Sequence, residues 1–135
     1  MKTQIISHQF DINPVPASRP RVSRWSTYYP KKYTRFKKEM EALTGELDTT
    51  PCESLVVVSL RFKIKIPQSW SKKKRLEREN TYCNNNSDID NYIKAMLDSL
   101  NGVYFMDDRQ VVEVFASKKY SNEPRILFTM MEIGE

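Results

Sequence analysis

LVVVSLRFKIKI, residues 55–66, alternates with a period of two. Val58, Leu60, Phe62, Ile64 and Ile66 fall on one side, and Ser59, Arg61, Lys63 and Lys65 on the other. That pattern predicts a strand with one apolar face and one basic face. Pro67 ends it, because proline has no N–H to offer a ladder. Downstream, SWSKKKRLEREN reads as a short helix with Ser69 or Ser71 as its cap. TYCNNNS (81–87) is polar and reads as a mobile loop. Residues 89–101 make the best helix, since Ile89, Ile93, Met96, Leu97 and Leu100 form one apolar stripe. Gly102 then stands where a left-handed C-cap is needed. Two more strands follow, near 110–119 and 125–133.

Upstream of the central strand, KKYTRFKKEMEALTGEL reads as a helix that Pro30 and Lys31 open, with Tyr33, Phe36, Met40 and Leu43 at helical spacing. Residues 13–31 hold four prolines and read as loop. Residues 4–12 read as a first strand, with Ile6, Phe10 and Ile12 inward. The order is strand, helix, strand, helix, helix, strand, strand. It predicts a mixed α/β (α+β) fold: one domain over residues 1–135, with one mixed sheet of about four strands flanked by helices.

The 135 residues suit one domain, and 39% hydrophobic with 29% charged residues suits a globular chain. No apolar run is long enough to span a bilayer, and the N-terminus lacks the apolar core of a signal peptide. A cytoplasmic protein with two reduced thiols, Cys52 and Cys83, is expected. The net charge is +5, but unevenly spread. Residues 1–82 carry seventeen Lys and Arg against eight acids, and residues 83–135 carry five against nine. The basic part suggests a polyanionic partner, and the acidic part suggests a cation that the sequence does not supply.

The acids concentrate in SDIDNYIKAMLDSLNGVYFMDDRQVV, residues 87–112. Asp90, Lys94 and Asp98 recur every four residues and so share the helix face opposite the apolar stripe. Asp88 and Asp90 would diverge by about 200° if both were helical. They converge if Asp88 is the extended residue before the helix, where an aspartate is also favoured as a cap. Asp107 and Asp108 precede a strand, so only one of them turns toward the cluster, and strand parity leaves the choice open. Gathered carboxylates repel and raise each other's pKa values. Mg2+ relieves that repulsion, prefers hard oxygen ligands, and can orient a water and polarise a phosphodiester. Lys94 would then stabilise charge developing on the phosphate. The plainer alternatives are an N-cap at Asp88, a surface pair at Asp90–Lys94 and turn residues at Asp107–Asp108.

At these residues the chain resembles the RusA family of Holliday-junction resolvases, in particular the small forms of phages and prophages. D-I-D-N-x-x-K-A-x-L-D-x-L-N-G (88–102) and D-D-x-Q-V-V (107–112) carry the resemblance. P-V-P-A-S-R-P-R (14–21), Y-Y-P-K-K-Y (28–33) and I-P-x-S-W-S-K-K-K (66–74) extend it in the same order over most of the chain. The resemblance implies a metal-dependent endonuclease acting as a homodimer on four-way junctions, in recombination and repair. By position it implies catalytic Asp88, Asp90, Lys94 and Asp108, with Asp88, Asp90 and Asp108 on Mg2+ (Mn2+ as a substitute). Asn91 and Asp107 would be supporting residues. Ser87 departs from relatives that carry a basic residue before the first aspartate. The dimer has its own rationale, since two matched cuts in a near-two-fold junction need two identical sites.

Arg19, Arg21, Arg24, Lys31, Lys32, Lys72, Lys73, Lys74 and Arg75 are the main expected DNA contacts. Arg61, Lys63, Lys65 and Arg78 are further candidates. Trp25, Tyr28, Tyr29 and Trp70 could stack on unpaired bases. His8 is the only histidine, so a zinc site of the usual Cys/His type and a histidine-based metal finger both lack ligands. No Asp or Glu has a Lys two residues later, and no P-loop is present, so no nucleotide cofactor is expected. Two readings from different classes remain: a junction-resolving nuclease and a non-catalytic binder of branched or single-stranded DNA. A nuclease for other branched DNA is a third.

Overall fold

Residues 55–65 form a central strand, and the alternation seen in the sequence is the alternation of its two faces. The structure is a computed structural model that describes residues 4–28 and 30–134, the side chains of Arg21 and Tyr28 excepted. In it β1 (Ile5–Phe10) precedes a small hairpin of β2 (Arg21–Val22) and β3 (Thr27–Tyr28). Next come α1 (Lys31–Gly45), β4 (Leu55–Lys65), α2 (Lys72–Arg78) and α3 (Ile89–Leu100). A 3-10 turn at Asp108–Gln110 leads into β5 (Val111–Ser121) and β6 (Arg125–Gly134). The main sheet has the order β1-β6-β4-β5. β6 is antiparallel to β1 and β4, whereas β4 and β5 are parallel. The mixed four-stranded α+β fold expected from the sequence is therefore the one present. Between Val111 and Glu113 the β4/β5 register skips a residue. Such irregularities bend and twist a strand.

Val56, Val58, Leu60, Phe62 and Ile64 point into the core, where they meet Phe10, Ile126, Phe128 and Met130 of the neighbouring strands. Tyr33, Phe36 and Met40 of α1 and Tyr92, Ala95, Met96 and Leu100 of α3 close that core from above. Truncating one large member, Phe62→Ala for example, would cost about 3–5 kcal/mol. On the opposite face Ser59, Arg61, Lys63, Leu127 and Thr129 are half-buried or exposed. The helices therefore cover one face of the sheet.

Two stretches differ from the sequence reading. Residues 21–28 are a hairpin inside the expected loop. Its turn is made by Ser23, whose Oγ accepts from Ser26 N at 3.0 Å. Residues 81–87, expected to be mobile, are tied along β5. Tyr120 N donates to Thr81 O (2.9 Å), and Cys83 N donates to Lys118 O (3.0 Å). Cys52 and Cys83 are both thiols, not a disulfide.

Candidate active site

Asp88 is the N-cap of α3, with extended backbone (φ −75°, ψ 146°). This is the conformation that lets its carboxylate approach that of Asp90. Its side chain makes no capping hydrogen bond, so the oxygens are not committed to the helix. Asp90 lies in the first turn, where the N-terminal dipole favours an anion. Both side chains are exposed. At the other end, Gly102 has φ 81°, as a residue following a helix C-terminus often does.

Two contacts hold the chain around Asp88. Lys118, on the core-facing side of β5, donates through Nζ to Ser87 O at 2.5 Å and to Asn85 Oδ1 at 2.8 Å. Asn85 Nδ2 in turn donates to Tyr92 Oη at 2.8 Å. A positive charge thus reaches the residue before the first aspartate from another strand, although Ser87 itself has none. No local pattern signals this, because Lys118 becomes a neighbour only through the β5 register. Ala17 N donates to Asn91 O at 2.8 Å, which docks the proline-rich loop on the first turn of α3. Asn91 therefore anchors this loop through its backbone carbonyl.

Lys94 pairs with Asp98 at 3.5 Å, one turn further on, and both side chains are substantially exposed. A pair of this kind contributes roughly 0.3–0.5 kcal/mol, so Lys94 gives up little by turning to a phosphate. Asp98 was noted in the sequence only as a face-mate of Asp90. Here it is the partner of Lys94.

Asp107 and Asp108 have different tasks. Asp107 caps the 3-10 turn: its Oδ1 accepts from Arg109 N at 2.9 Å, and that bond holds its carboxyl below the usual range. Gln110 completes a capping box by accepting from Asp107 N at 2.8 Å. The same buried amide donates to Cys52 O (2.9 Å) and Ser54 O (2.8 Å), so its donors and acceptor are all used. Asp108 is exposed and makes no such bond. Burial raises its carboxyl above the ordinary value, Asp107 and then Asp98 raise it further, and Lys94 opposes them. Asp108 is thus an electrostatic neighbour of Lys94 and Asp98.

Among the described residues no three acidic, cysteine or histidine side chains stand close enough to hold one ion. Asp88, Asp90 and Asp108 do not form a closed cage. Lys94, one turn past Asp90, and Asp98, two turns past it, are the α3 charges that act on Asp108. Carboxylates without a counter-charge also repel. The donors nevertheless have the chemistry a hard divalent cation prefers: exposed carboxylates, of which Asp88 and Asp108 are not spent on caps.

A family model for the endodeoxyribonuclease RusA matches residues 11–131. The chain belongs to the RusA endodeoxyribonuclease family. It is also 30% identical over 130 residues to the uncharacterized protein YqaN of Bacillus subtilis (strain 168), covering 90% of this chain and 92% of that protein. Family membership makes the chain a nuclease by descent and places Asp88, Asp90, Lys94 and Asp108 well inside the matched region.

The basic residues of this RusA-family chain are spread over several elements. Lys31 and Lys32 occupy the first turn of α1 without an acid beside them. A helix N-terminus disfavours cations there, so folding alone gives no reason for the pair. Arg19 and Arg24 are exposed, and Arg24 sits 5.5 Å from the ring centre of Trp25, itself 87% exposed. The Arg21 and Tyr28 side chains and Tyr29 lie outside the described residues. Ser71 caps α2 by accepting from Lys74 N at 3.2 Å, and Lys72, Lys73 and Lys74 are exposed. Arg75 is half-buried and donates to Pro67 O at 3.3 Å. Trp70 packs edge-on against Tyr120 at 5.0 Å, with Lys74 4.2 Å from its ring centre. No helix among the described residues is long and apolar enough to cross a membrane.

Proposed function

We propose that this chain is a magnesium-dependent endonuclease that resolves four-way DNA junctions by paired symmetric nicks, working as a homodimer in the cytoplasm. The observation that carries the reading is the extended N-cap Asp88, whose carboxylate caps nothing and which lies two residues before the exposed Asp90. A pure DNA binder gains nothing from acids placed where phosphates must approach.

Asp88, Asp90 and Asp108 would hold the divalent ion. Bound Mg2+, or Mn2+ in its place, would supply charge neutralisation and an acidified water. The chain's own residues do the rest. Lys94 places an ammonium group where charge develops on the phosphate. Lys118 and Asn85 fix the backbone that carries Asp88, and Gln110 fixes the turn that carries Asp108. Lys31, Lys32, Lys72, Lys73 and Lys74 bind phosphates, as do Arg19, Arg21 and Arg24. Asp107 keeps the turn closed.

The test is cleavage of a synthetic four-way junction with Mg2+, compared with its linear arm. Symmetric nicks in two opposed strands are expected. Binding without cutting over a range of metals would instead make the chain a junction-binding module.

A further inference from the structure

The sheet face turned away from α1 and α3 carries positive charge that the acidic site does not use. Lys63 of β4 stands between Lys119 of β5 and Arg125 of β6 as direct cross-strand neighbours, and Arg61 is the next residue of β4 on the same face. Like charges opposite one another destabilise a sheet, so folding does not favour three in a row. Lys63 holds its proton less tightly than an ordinary lysine, first through burial and then through Lys119, Arg125 and Arg61.

Compensation from the chain is slight. Lys63 Nζ donates to the neutral Asn80 Oδ1 at 3.0 Å, and Arg125 has Glu123 at 3.9 Å. Among the described residues, no carboxylate lies within ion-pair distance of Arg61, Lys63 or Lys119. The three cations line an open cavity of about 310 Å³ together with Tyr82 and Phe115. Tyr82 is 76% exposed and Phe115 58%, and Lys119 Nζ lies 5.0 Å from the Tyr82 ring centre. Cations interleaved with exposed rings are how proteins hold a nucleic-acid backbone and its bases.

We propose that this face is a second DNA-contact surface, which grips a different arm of the branched substrate from the arm at the acidic site. The inference rests on the nuclease reading. Charge selects the occupant: a polyanion neutralises the row, whereas a second copy laid face to face would meet its own cations. Position selects the arm. Asp90 and Lys94 lie on a helix that covers the opposite side of the sheet. A straight duplex resting on that side does not reach round to Arg61 and Lys119, but a second arm of a junction does.

The experiment uses the full chain in EDTA, which prevents cutting. Fluorescence anisotropy measures binding of a labelled four-way junction and of its linear arm over a range of salt. Arg61→Gln/Lys119→Gln should weaken junction binding at least tenfold and lower its salt slope by about 2, near 0.9 per lost contact. Duplex binding should fall much less. Circular dichroism checks the fold, and Arg61→Gln alone carries the same expectation with half the change in slope. Equal junction affinity for variant and wild type overturns this inference and leaves the nuclease reading standing. Equal losses on junction and duplex also overturn it, as does a changed oligomeric state with unchanged DNA binding. A wild-type chain that binds neither DNA overturns both readings.

Discussion

The Lys118 ammonium group donates to the carbonyl of Ser87, 31 residues away in sequence and one residue before Asp88. Through this bond the edge strand β5 sets the backbone from which the first aspartate projects. Lys118→Met keeps the apolar stem and removes the donor. Such a charge-assisted bond contributes about 1.5–3 kcal/mol. We expect lower stability in urea together with cutting slowed beyond what the unfolded fraction explains. Normal turnover by the folded variant would show that Lys118 does not position the site.

Asp90→Asn keeps the shape of the side chain and removes its charge. Cutting should be lost while junction binding stays, because the removed charge opposes phosphates. Lys94→Ala should slow cutting with the fold unchanged, since its bond to Asp98 contributes little. A loss of junction binding in Asp90→Asn, or an unaltered rate in either variant, would contradict these roles.

The two adjacent aspartates should separate by assay. Asp108→Asn should abolish cutting without loss of stability, because the fold raises the Asp108 carboxyl and so disfavours its charge. Asp107→Asn should lower the melting temperature and retain more of the rate. The sign follows from linkage: the Asp107 carboxyl is held low, so its contribution is present above the ordinary carboxylate value. It is lost as pH falls through the depressed one. The stability difference between wild type and Asp107→Asn should therefore shrink in acid, and a pH-independent difference would argue against the cap. Gln110→Leu removes the buried amide that donates to Cys52 O and Ser54 O; Met106 N still donates to Cys52 O, so the change should cost about 1–3 kcal/mol by denaturant titration.

Lys63 should set function against stability. Its proton is held weakly in the fold, so the unfolded chain binds more protons at alkaline pH and stability rises there with pH. Lys63→Met removes the repulsion and should stabilise the chain at neutral pH by about 0.2–1 kcal/mol, the usual size of a cross-strand pair. Thermal unfolding at pH 7 and near pH 10 checks this, and the gain should be smaller at the higher pH.

How legible these features were depends on how local their causes are. The alternation of 55–66 and the stripe of 89–101 are local patterns, and β4 and α3 follow them closely. The need for an extended Asp88 also came from helix rotation alone. The hairpin at 21–28 was hidden because four nearby prolines suggest loop, while the turn depends on one hydroxyl, that of Ser23. The anchoring of 81–87 was hidden because its partners are backbone groups of β5. Lys118 at Ser87 and Gln110 at Cys52 depend on register between distant segments, which periodicity does not encode. Asp98 was visible as a face-mate, but its pairing with Lys94 was not.

The strand order has a consequence for synthesis. Every pairing in the main sheet uses β5 or β6. Until residues 111–134 have been made, β1 and β4 have no partner at all, and α1 and α3 have no finished sheet to rest on. A nascent chain can therefore already carry all four proposed catalytic residues and still lack the scaffold that arranges them. Nuclease activity should appear only after the last two strands leave the ribosome, so DNA near the site of translation is not exposed to a half-made enzyme.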